Sequence, residues 1–193
     1  MKILNIHGLF GKSKNNIYRA LLGYPDLEIT SPQLANRPRE DYAALRQIAL
    51  TLGKEAVIIG KSLGGLYAAM LNRELSIPAI LINPSFEPWR NNAFDENDSR
   101  FLARAMPTDY EPAFVLCLCS VDDTVVDHAI LIRKYKYFGN ISKYYFARGG
   151  HDFEFENNDH IVEFIAKKCY ELALCKAQLD IAKEVYHERE QID

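Results

Sequence analysis

The chain contains, about a third of the way along, the sequence Val57-Ile58-Ile59-Gly60-Lys61-Ser62-Leu63-Gly64-Gly65, followed by Leu66-Tyr67-Ala68-Ala69-Met70-Leu71. An apolar run that leads into Gly-x-Ser-x-Gly and then into a helical pattern is typical of a nucleophile elbow. In such an elbow a strained turn pushes the serine hydroxyl outward, and glycines on either side avoid collision with neighbouring backbone. The pattern therefore predicts that Ser62 is a nucleophile.

The same residues also resemble the end of a phosphate-binding loop. That motif, Gly-x-x-x-x-Gly-Lys-Ser/Thr, would need a glycine at position 55, where the chain has Glu55. A second Gly-Lys-Ser, at Gly11–Ser13, would need a glycine where the chain has Ile6. Because both segments lack the glycine that lets the loop wrap phosphate, we do not expect a phosphate-binding loop.

Short apolar segments alternate with helical patterns along the chain. Several of them are continuous apolar runs, as expected of strands buried on both faces of a parallel sheet. The candidate strands are Lys2–Ile6, Leu27–Thr30, Ala56–Ile59, Ala79–Ile82, Ala113–Leu118 and Ser142–Ala147. The candidate helices are Lys14–Leu22, Asp41–Leu52, Leu63–Leu75, His128–Tyr137 and a long one from Asp159 onward. This alternation predicts an α/β fold of three layers, with about six parallel strands and right-handed crossovers.

Length and composition predict one domain with an extension. The chain has 193 residues, of which 48% are hydrophobic, and a formal net charge of −3. These values exclude a disordered chain and show no basic excess that would suggest nucleic acid as a partner. We place an α/β domain at residues 1–175, with a cap-like connection at 84–112, and an acidic helical extension at 176–193.

The sequence indicates a cytoplasmic protein without a cofactor or metal. No apolar run approaches the roughly 20 residues that cross a bilayer, and residues 1–8 lack the features of an export signal. The four cysteines, Cys117, Cys119, Cys169 and Cys175, do not have the spacing of a zinc site or a redox pair. Cys117 and Cys119 are two apart, so we expect them on one strand face as buried thiols rather than as nucleophiles.

A serine nucleophile requires a base and an acid, here in the chain order Ser, Asp, His. His151 is the predicted base because it follows the last strand and two glycines. The other candidates, His128, His160 and His187, fall in helices or in the charged tail, so we interpret them as structural or exposed.

The acid is one of three aspartates that follow the strand at 113–118. Asp127 suits the N-cap of the helix that starts at His128. Asp122 leaves the strand first and opens an Asp-x-x-Val turn, so we predict Asp122 as the triad acid and keep Asp123 as the alternative.

An oxyanion hole is predicted from His7-Gly8-Leu9-Phe10-Gly11, which directly follows the first strand. Acyl transfer needs two preset donors for the oxyanion. One is the backbone N–H of Leu63, after the nucleophile; the other is that of Leu9 or Phe10, and we choose Leu9. His7 is expected to brace the loop rather than to transfer protons.

Together these motifs resemble those of the α/β-hydrolase superfamily. They occur in the expected order over residues 6–153, including Asn83-Pro84-Ser85 after the fourth strand. The compact size and that Asn-Pro make the chain similar to the small YqiA-like bacterial esterases. This resemblance implies a Ser62, Asp122 and His151 triad that hydrolyses short acyl esters. The chain departs from the family in lacking the usual opening antiparallel hairpin and in its acidic tail.

Two functions follow from these residues. The first is a carboxylic ester hydrolase or thioesterase that acts through an acyl-serine, and amide cleavage would use the same groups. The alternative is a hydrolase-fold binding protein with a silent site. For an enzyme, we expect the connection at 84–112 to roof the site, with Phe10, Phe86 and Trp89 lining an apolar acyl pocket. Otherwise Phe86 and Trp89 only anchor the connection.

The segment from Asp159 to Glu190 contains no Pro or Gly. As one helix it would be about 48 Å long, which exceeds the roughly 42 Å diameter of a domain of this size. It must therefore break near Leu174–Ala177 or protrude. We predict that residues 176–190 contact a second copy and form a homodimer; the alternative is that they fray or fold back on the same body.

Overall fold

A computed structural model describes residues 1–90, 93–105, 113–134, 141, 143–153 and 159–190. Within these residues the strands form one six-stranded sheet in the order β2-β1-β3-β4-β5-β6, and every neighbouring pair is parallel. The strands are β1 (Lys2–Ile6), β2 (Glu28–Thr30), β3 (Val57–Lys61), β4 (Ala79–Ile82), β5 (Val115–Ser120) and β6 (Lys143–Ala147). The predicted parallel α/β sheet is confirmed.

Helices cover both faces of this sheet. The described helices are α1 (Asn16–Leu21), α2 (Pro38–Leu52), α3 (Leu63–Leu75), α4 (Glu96–Ala105), α5 (His128–Lys134) and α6 (Asp159–Glu190). Side chains of α1 and α6 share one core with one face of the sheet, whereas those of α2, α3 and α4 share a second core with the other face. The three layers place the carboxyl ends of all six strands along one edge.

Alternate residues of the central strands point into different cores, as the period of two for a strand requires. In β3, Val57 and Ile59 face α1 and α6, and Ile58 faces α2 and α3. Cys117 and Cys119 of β5 lie in the same core as Ile58, with their Sγ atoms 3.5 Å apart. Their predicted place on one buried strand face is confirmed.

The connection predicted as a cap carries the crossover helix α4. A short 3₁₀ turn at Pro88–Arg90 precedes this helix. Leu102 of α4 is fully buried, and Phe101 packs against Tyr42 of α2 with ring centroids 6.2 Å apart. The described part of the connection therefore belongs to the helical layer on this face of the sheet. The rest of it, residues 91–92 and 106–112, lies outside the described residues.

Helix α6 runs without a break through the segment where a break was one of two expectations. Its first half packs on the sheet through Ile161, Ile165, Cys169 and other apolar residues. Among the described residues, no helix combines the length and the apolar content that a membrane crossing demands.

Candidate active site

Ser62 occupies a sharp turn between β3 and α3. Its backbone has φ 54° and ψ −120°, a conformation that is strained for any residue with a side chain. The turn is held by its own hydrogen bonds: the Ser62 N–H donates to the Ile82 carbonyl at 3.0 Å, and the Ser62 carbonyl accepts from Gly65 and Ser85, each at 2.9 Å. The backbone thus has the shape that the Gly-x-Ser-x-Gly pattern predicts.

The glycines around Ser62 permit close backbone contacts. A Cβ atom on Gly60 would overlap the Gly64 carbonyl, and one on Gly64 would overlap the carbonyl of Ile6 at the end of β1. A Cβ on Gly8 would lie 3.0 Å from the Ser62 Cβ. The loop after β1 therefore packs directly against the elbow, where the sequence predicts a second oxyanion donor.

His7 braces that loop, as the sequence suggested. Its side chain is buried, and its Nε2 accepts a hydrogen bond from the Leu34 N–H at 3.1 Å. Because Nε2 is an acceptor, the proton of the neutral ring lies on Nδ1, which donates to the Gly8 carbonyl at 2.7 Å. Both ring nitrogens are engaged in holding the loop.

The N–H of Phe10 is also engaged, since it donates to Asn36 Oδ1 at 2.9 Å. Of the two residues considered for the loop donor, this leaves Leu9, which lines the cavity at Ser62. Leu63 begins α3, so its N–H belongs to the first turn, where backbone donors have no partner within the helix. The arrangement is compatible with an oxyanion hole formed by these two groups.

Ser62 and His151 line the same cavity, which has a volume of about 150 Å³. His151 follows β6 on a turn in which Gly150 has φ 60°, a conformation suited to glycine. The Nδ1 atom of His151 lies 2.9 Å from Oδ2 of Asp123. The structure therefore places a serine, a histidine and an aspartate at one edge of the sheet.

The partner of His151 is Asp123 and not Asp122, which corrects the sequence-based choice. The Asp123 side chain is only 1% exposed, and its Oδ1 accepts from the N–H groups of Val125 and Val126 at 2.7 and 3.0 Å. Burial raises the pKa of Asp123, but the hydrogen bonds from His151 and from these two N–H groups outweigh burial and hold it below its usual value.

Asp122 instead fastens the turn that leads to His151. Its Oδ1 accepts from Ser120 Oγ at 2.5 Å and from the N–H groups of Gly149 and Gly150, each at 3.0 Å. The Ser120 hydroxyl, followed by these N–H groups, holds the pKa of Asp122 far below its ordinary range. Spacing alone could not separate the two aspartates because their roles depend on which way each carboxylate points.

Asn83 is a site residue that the sequence analysis did not assign. It follows β4 in a left-handed conformation with φ 41°. Its Oδ1 accepts from the Ser120 N–H at 2.6 Å, and its Nδ2 donates to the carbonyls of Gly150 and His151 at 3.0 and 2.9 Å. One buried amide thus connects the end of β4, the end of β5 and the turn that carries His151.

A second unassigned feature is the ion pair between Lys61 and Asp152, each of which is adjacent in the chain to Ser62 or His151. The hydrogen bond from Lys61 lowers the pKa of Asp152. The pair forms one wall of the cavity at Ser62. The sequence contained a signal for this pair, because Lys61 lies inside the Gly-x-Ser-x-Gly motif and Asp152 directly follows His151.

The predicted acyl-pocket residues are not among those that line this cavity. Phe86 is only 3% exposed and lies in the core beneath α2 and α3, and Trp89 packs against the same core. Phe10 is 72% exposed. The structure therefore favours the alternative in which Phe86 and Trp89 anchor the connection, because their apolar rings gain more from the core than from a polar cavity.

A comparison with protein families finds one match. Residues 13–103 match the model of UPF0227, described as an uncharacterised protein family. The matched segment includes Ser62 and Asn83, but it ends before Asp123 and His151.

Solved structures resemble the chain over most of its length. A protein from Xanthomonas campestris pv. campestris, assigned to the hydrolases of the alpha/beta superfamily, is 16% identical with a TM-score of 0.60, covering 90% of this chain and 97% of that one. The ydeN gene product from B. subtilis is 19% identical with a TM-score of 0.60, covering 88% and 98%. The type II thioesterase BorB from the borrelidin biosynthetic cluster is 15% identical with a TM-score of 0.58, covering 87% and 92%. At these identities the likeness lies in the fold.

Proposed function

We propose that this chain, which has the α/β-hydrolase fold, is a serine hydrolase that cleaves small carboxylic esters or thioesters through an acyl-serine. The observation that carries the proposal is that Ser62 and His151 line one cavity while His151 bonds to the buried Asp123. We assign Ser62 as nucleophile, His151 as base and Asp123 as the acid that orients the base.

The hydrogen bonds support a specific proton path. Since Asp123 accepts from Nδ1 of His151, the Nε2 atom of the neutral ring carries a lone pair and can accept a proton. Ser62 Oγ would attack the acyl carbonyl while its proton passes to Nε2, and the departing alcohol or thiol would take that proton. Water would then attack the acyl-serine by the same route and release the acid.

Negative charge on the carbonyl oxygen would be stabilised by the N–H groups of Leu9 and Leu63. Both donors belong to segments held before substrate arrives, the first by His7 and the second by α3. Preset donors of this kind stabilise the transition state without the cost of reorganisation, and losing one typically slows such enzymes about 10²- to 10³-fold.

The size of the cavity supports a small acyl group. A closed cavity of about 150 Å³ in another protein is large enough for benzene, so a group of this size would fit beside Ser62. Lys61 and Asp152 make one wall polar, which disfavours long alkyl chains. Thioesters are included because one structural neighbour is a type II thioesterase.

The test is covalent labelling with a fluorophosphonate, combined with a panel of p-nitrophenyl esters and acyl thioesters of increasing chain length. We expect labelling of Ser62 and the fastest turnover for the shortest acyl groups. Ser62→Ala and His151→Ala should each lower kcat by several orders of magnitude, because nucleophile and base act as a unit.

Ser76→Gly is the matched control. Ser76 is exposed at the other end of α3 in a left-handed conformation that glycine adopts readily, so this variant should label and turn over like the wild type. Folding of all variants is checked by circular dichroism. A folded protein that neither labels nor hydrolyses any member of the panel would favour the binding-protein alternative.

A further inference from the structure

A second histidine contacts the carboxylate that orients His151. His128, the first residue of α5, has a side chain that is 6% exposed. Its Nε2 lies 3.0 Å from Oδ2 of Asp123, the same oxygen that lies 2.9 Å from Nδ1 of His151. Two imidazoles therefore share one carboxylate oxygen.

The bonding of Asp123 fixes the direction of both contacts. Its other oxygen, Oδ1, already accepts from the N–H groups of Val125 and Val126. An ionised carboxylate is only an acceptor, so both histidines must donate a proton to Oδ2. His128 and His151 thus donate hydrogen bonds to the same oxygen and share its negative charge.

Several titratable groups surround His128. Cys119 of β5 hydrogen-bonds to the imidazole, Asp123 and Asp127 come from the loop before α5, and His151 lies beyond Asp123. Burial lowers the pKa of His128, but the hydrogen bonds and charges of Cys119 and Asp123 outweigh burial and raise it. The hydrogen bond with Cys117, together with that from His128, outweighs burial and lowers the pKa of Cys119. Cys119 and Asp123 thus favour the protonated form of His128 more than water favours that of a free imidazole.

We propose that His128 is a positioning residue, which shares Asp123 with His151 and thereby limits how strongly that carboxylate stabilises protonated His151. The consequence is that only part of the negative charge of Oδ2 is available to the ring of His151. This inference rests on the proposed function, in which His151 must be unprotonated to accept the proton of Ser62.

The experiment follows the ring nitrogens of His151 by NMR in protein labelled with ¹⁵N-histidine, from acid to alkaline pH. His151→Ala identifies the signal. His128→Leu removes the competing donor, so the titration midpoint of His151 should rise by about one pH unit, a tenfold gain in proton affinity. His128→Asn keeps a neutral N–H donor and should give a smaller rise.

The sign of the change separates this role from a structural one. If His128 only supported the loop, its loss would weaken the bond between His151 and Asp123 and lower the midpoint. A lowered or unchanged midpoint in a folded variant overturns the proposal. Should His128→Leu fail to fold, the same comparison holds for His128→Asn. His160→Ala, which alters an exposed histidine in the first turn of α6, should leave the midpoint unchanged.

The pH dependence of fluorophosphonate labelling provides the link to chemistry. The acid-side inflection of the labelling rate should shift upward in His128→Leu together with the NMR midpoint. If Ser62 does not label at any pH while the NMR midpoint still rises, the proposed function fails and the sharing of Asp123 stands. If Ser62 labels normally and the midpoint does not rise, only the role of His128 is wrong.

Discussion

Asp122 and Asp123 are adjacent in the chain, yet their carboxylates lie in different surroundings. Asp122 accepts from a hydroxyl and two glycine N–H groups, whereas Asp123 is buried against two imidazoles. The first carboxylate shapes the turn before His151, and the second faces the ring itself. Exchanging each for its amide therefore tests two separate contributions.

We expect Asp123→Asn to lower kcat far more than Asp122→Asn. An amide at position 123 can present its NH₂ group to Nδ1 of His151 and favour the wrong tautomer, a change that costs about 10⁴-fold in other triads. Asp122→Asn keeps an oxygen that accepts from the glycine N–H groups, so the decrease in kcat should be much smaller. The measurement is kcat on the best ester of the panel, and a greater loss for Asp122→Asn would contradict our assignment of the acid.

The positions of Ser62 and His151 beside one cavity could be predicted from the sequence because the signals for both residues are local. The elbow requires glycines at fixed distances from the serine. A histidine that directly follows a strand and two glycines has few other structural interpretations. The carboxylate that contacts His151 belongs to Asp123 rather than to the preferred Asp122, and this depends on the direction of a loop side chain. His128 was interpreted as structural or exposed, since no spacing reveals that it meets His151 at a shared carboxylate.

At the scale of elements, the site depends on how the ends of β4, β5 and β6 are joined. The two backbone carbonyls that Asn83 binds lie 67 and 68 residues further along the chain. The Asn-Pro after β4 was visible in the sequence, but the hydrogen-bond partners of Asn83 follow only from the order of the strands.

The alternation of strands and helices predicted the sheet well, because continuous apolar runs are typical of strands that are buried on both faces. The cap stays a prediction, and the described part of that connection packs on the sheet as helix α4.

We expect Asn83→Ala to slow labelling of Ser62 at temperatures where the protein stays folded. The change leaves a buried N–H and two carbonyls without their partner, which loosens the turn that carries His151 and costs about 1–3 kcal/mol per buried group. Asn72→Ala is the matched control. Asn72 is also buried and donates to the carbonyls of Ile77 and Ala113, away from the cavity.

Both variants should lower the melting temperature, but only Asn83→Ala should slow labelling. Equal labelling rates in the two variants would mean that Asn83 contributes to stability alone. The pair thus distinguishes a residue that positions the site from one that only holds the sheet.

At the scale of the whole molecule, α6 runs from the carboxyl ends of the strands, where His151 lies, towards their amino ends. From its middle onward it presents an exposed stripe of apolar side chains at helical spacing, formed by Tyr170, Leu174, Ala177 and Ile181. Leu174 and Ile181 are 60% and 62% exposed. The stripe borders a groove of about 850 Å³ that reaches the starts of β1 and β2.

The charges of this groove suit contact with a second copy of the chain. In a two-fold dimer one patch meets the same patch of its partner, so it must be complementary to itself. The groove carries equal numbers of charged side chains of both signs, from Lys2, Lys54 and Lys176 and from Glu28, Glu55 and Asp180. An apolar stripe between balanced charges can pair with itself without net repulsion.

We therefore predict a homodimer that forms through α6 and breaks in Leu174→Ser/Ile181→Ser. Light scattering should give twice the chain mass for the wild type and the chain mass for the double variant and for a chain ending at Cys175. Leu50→Ser is the matched control, because Leu50 is 48% exposed on α2 in the opposite layer. The groove lies away from the cavity at Ser62, so the monomeric variant should label at the wild-type rate per chain. A wild-type protein that scatters as a monomer at every concentration contradicts the prediction.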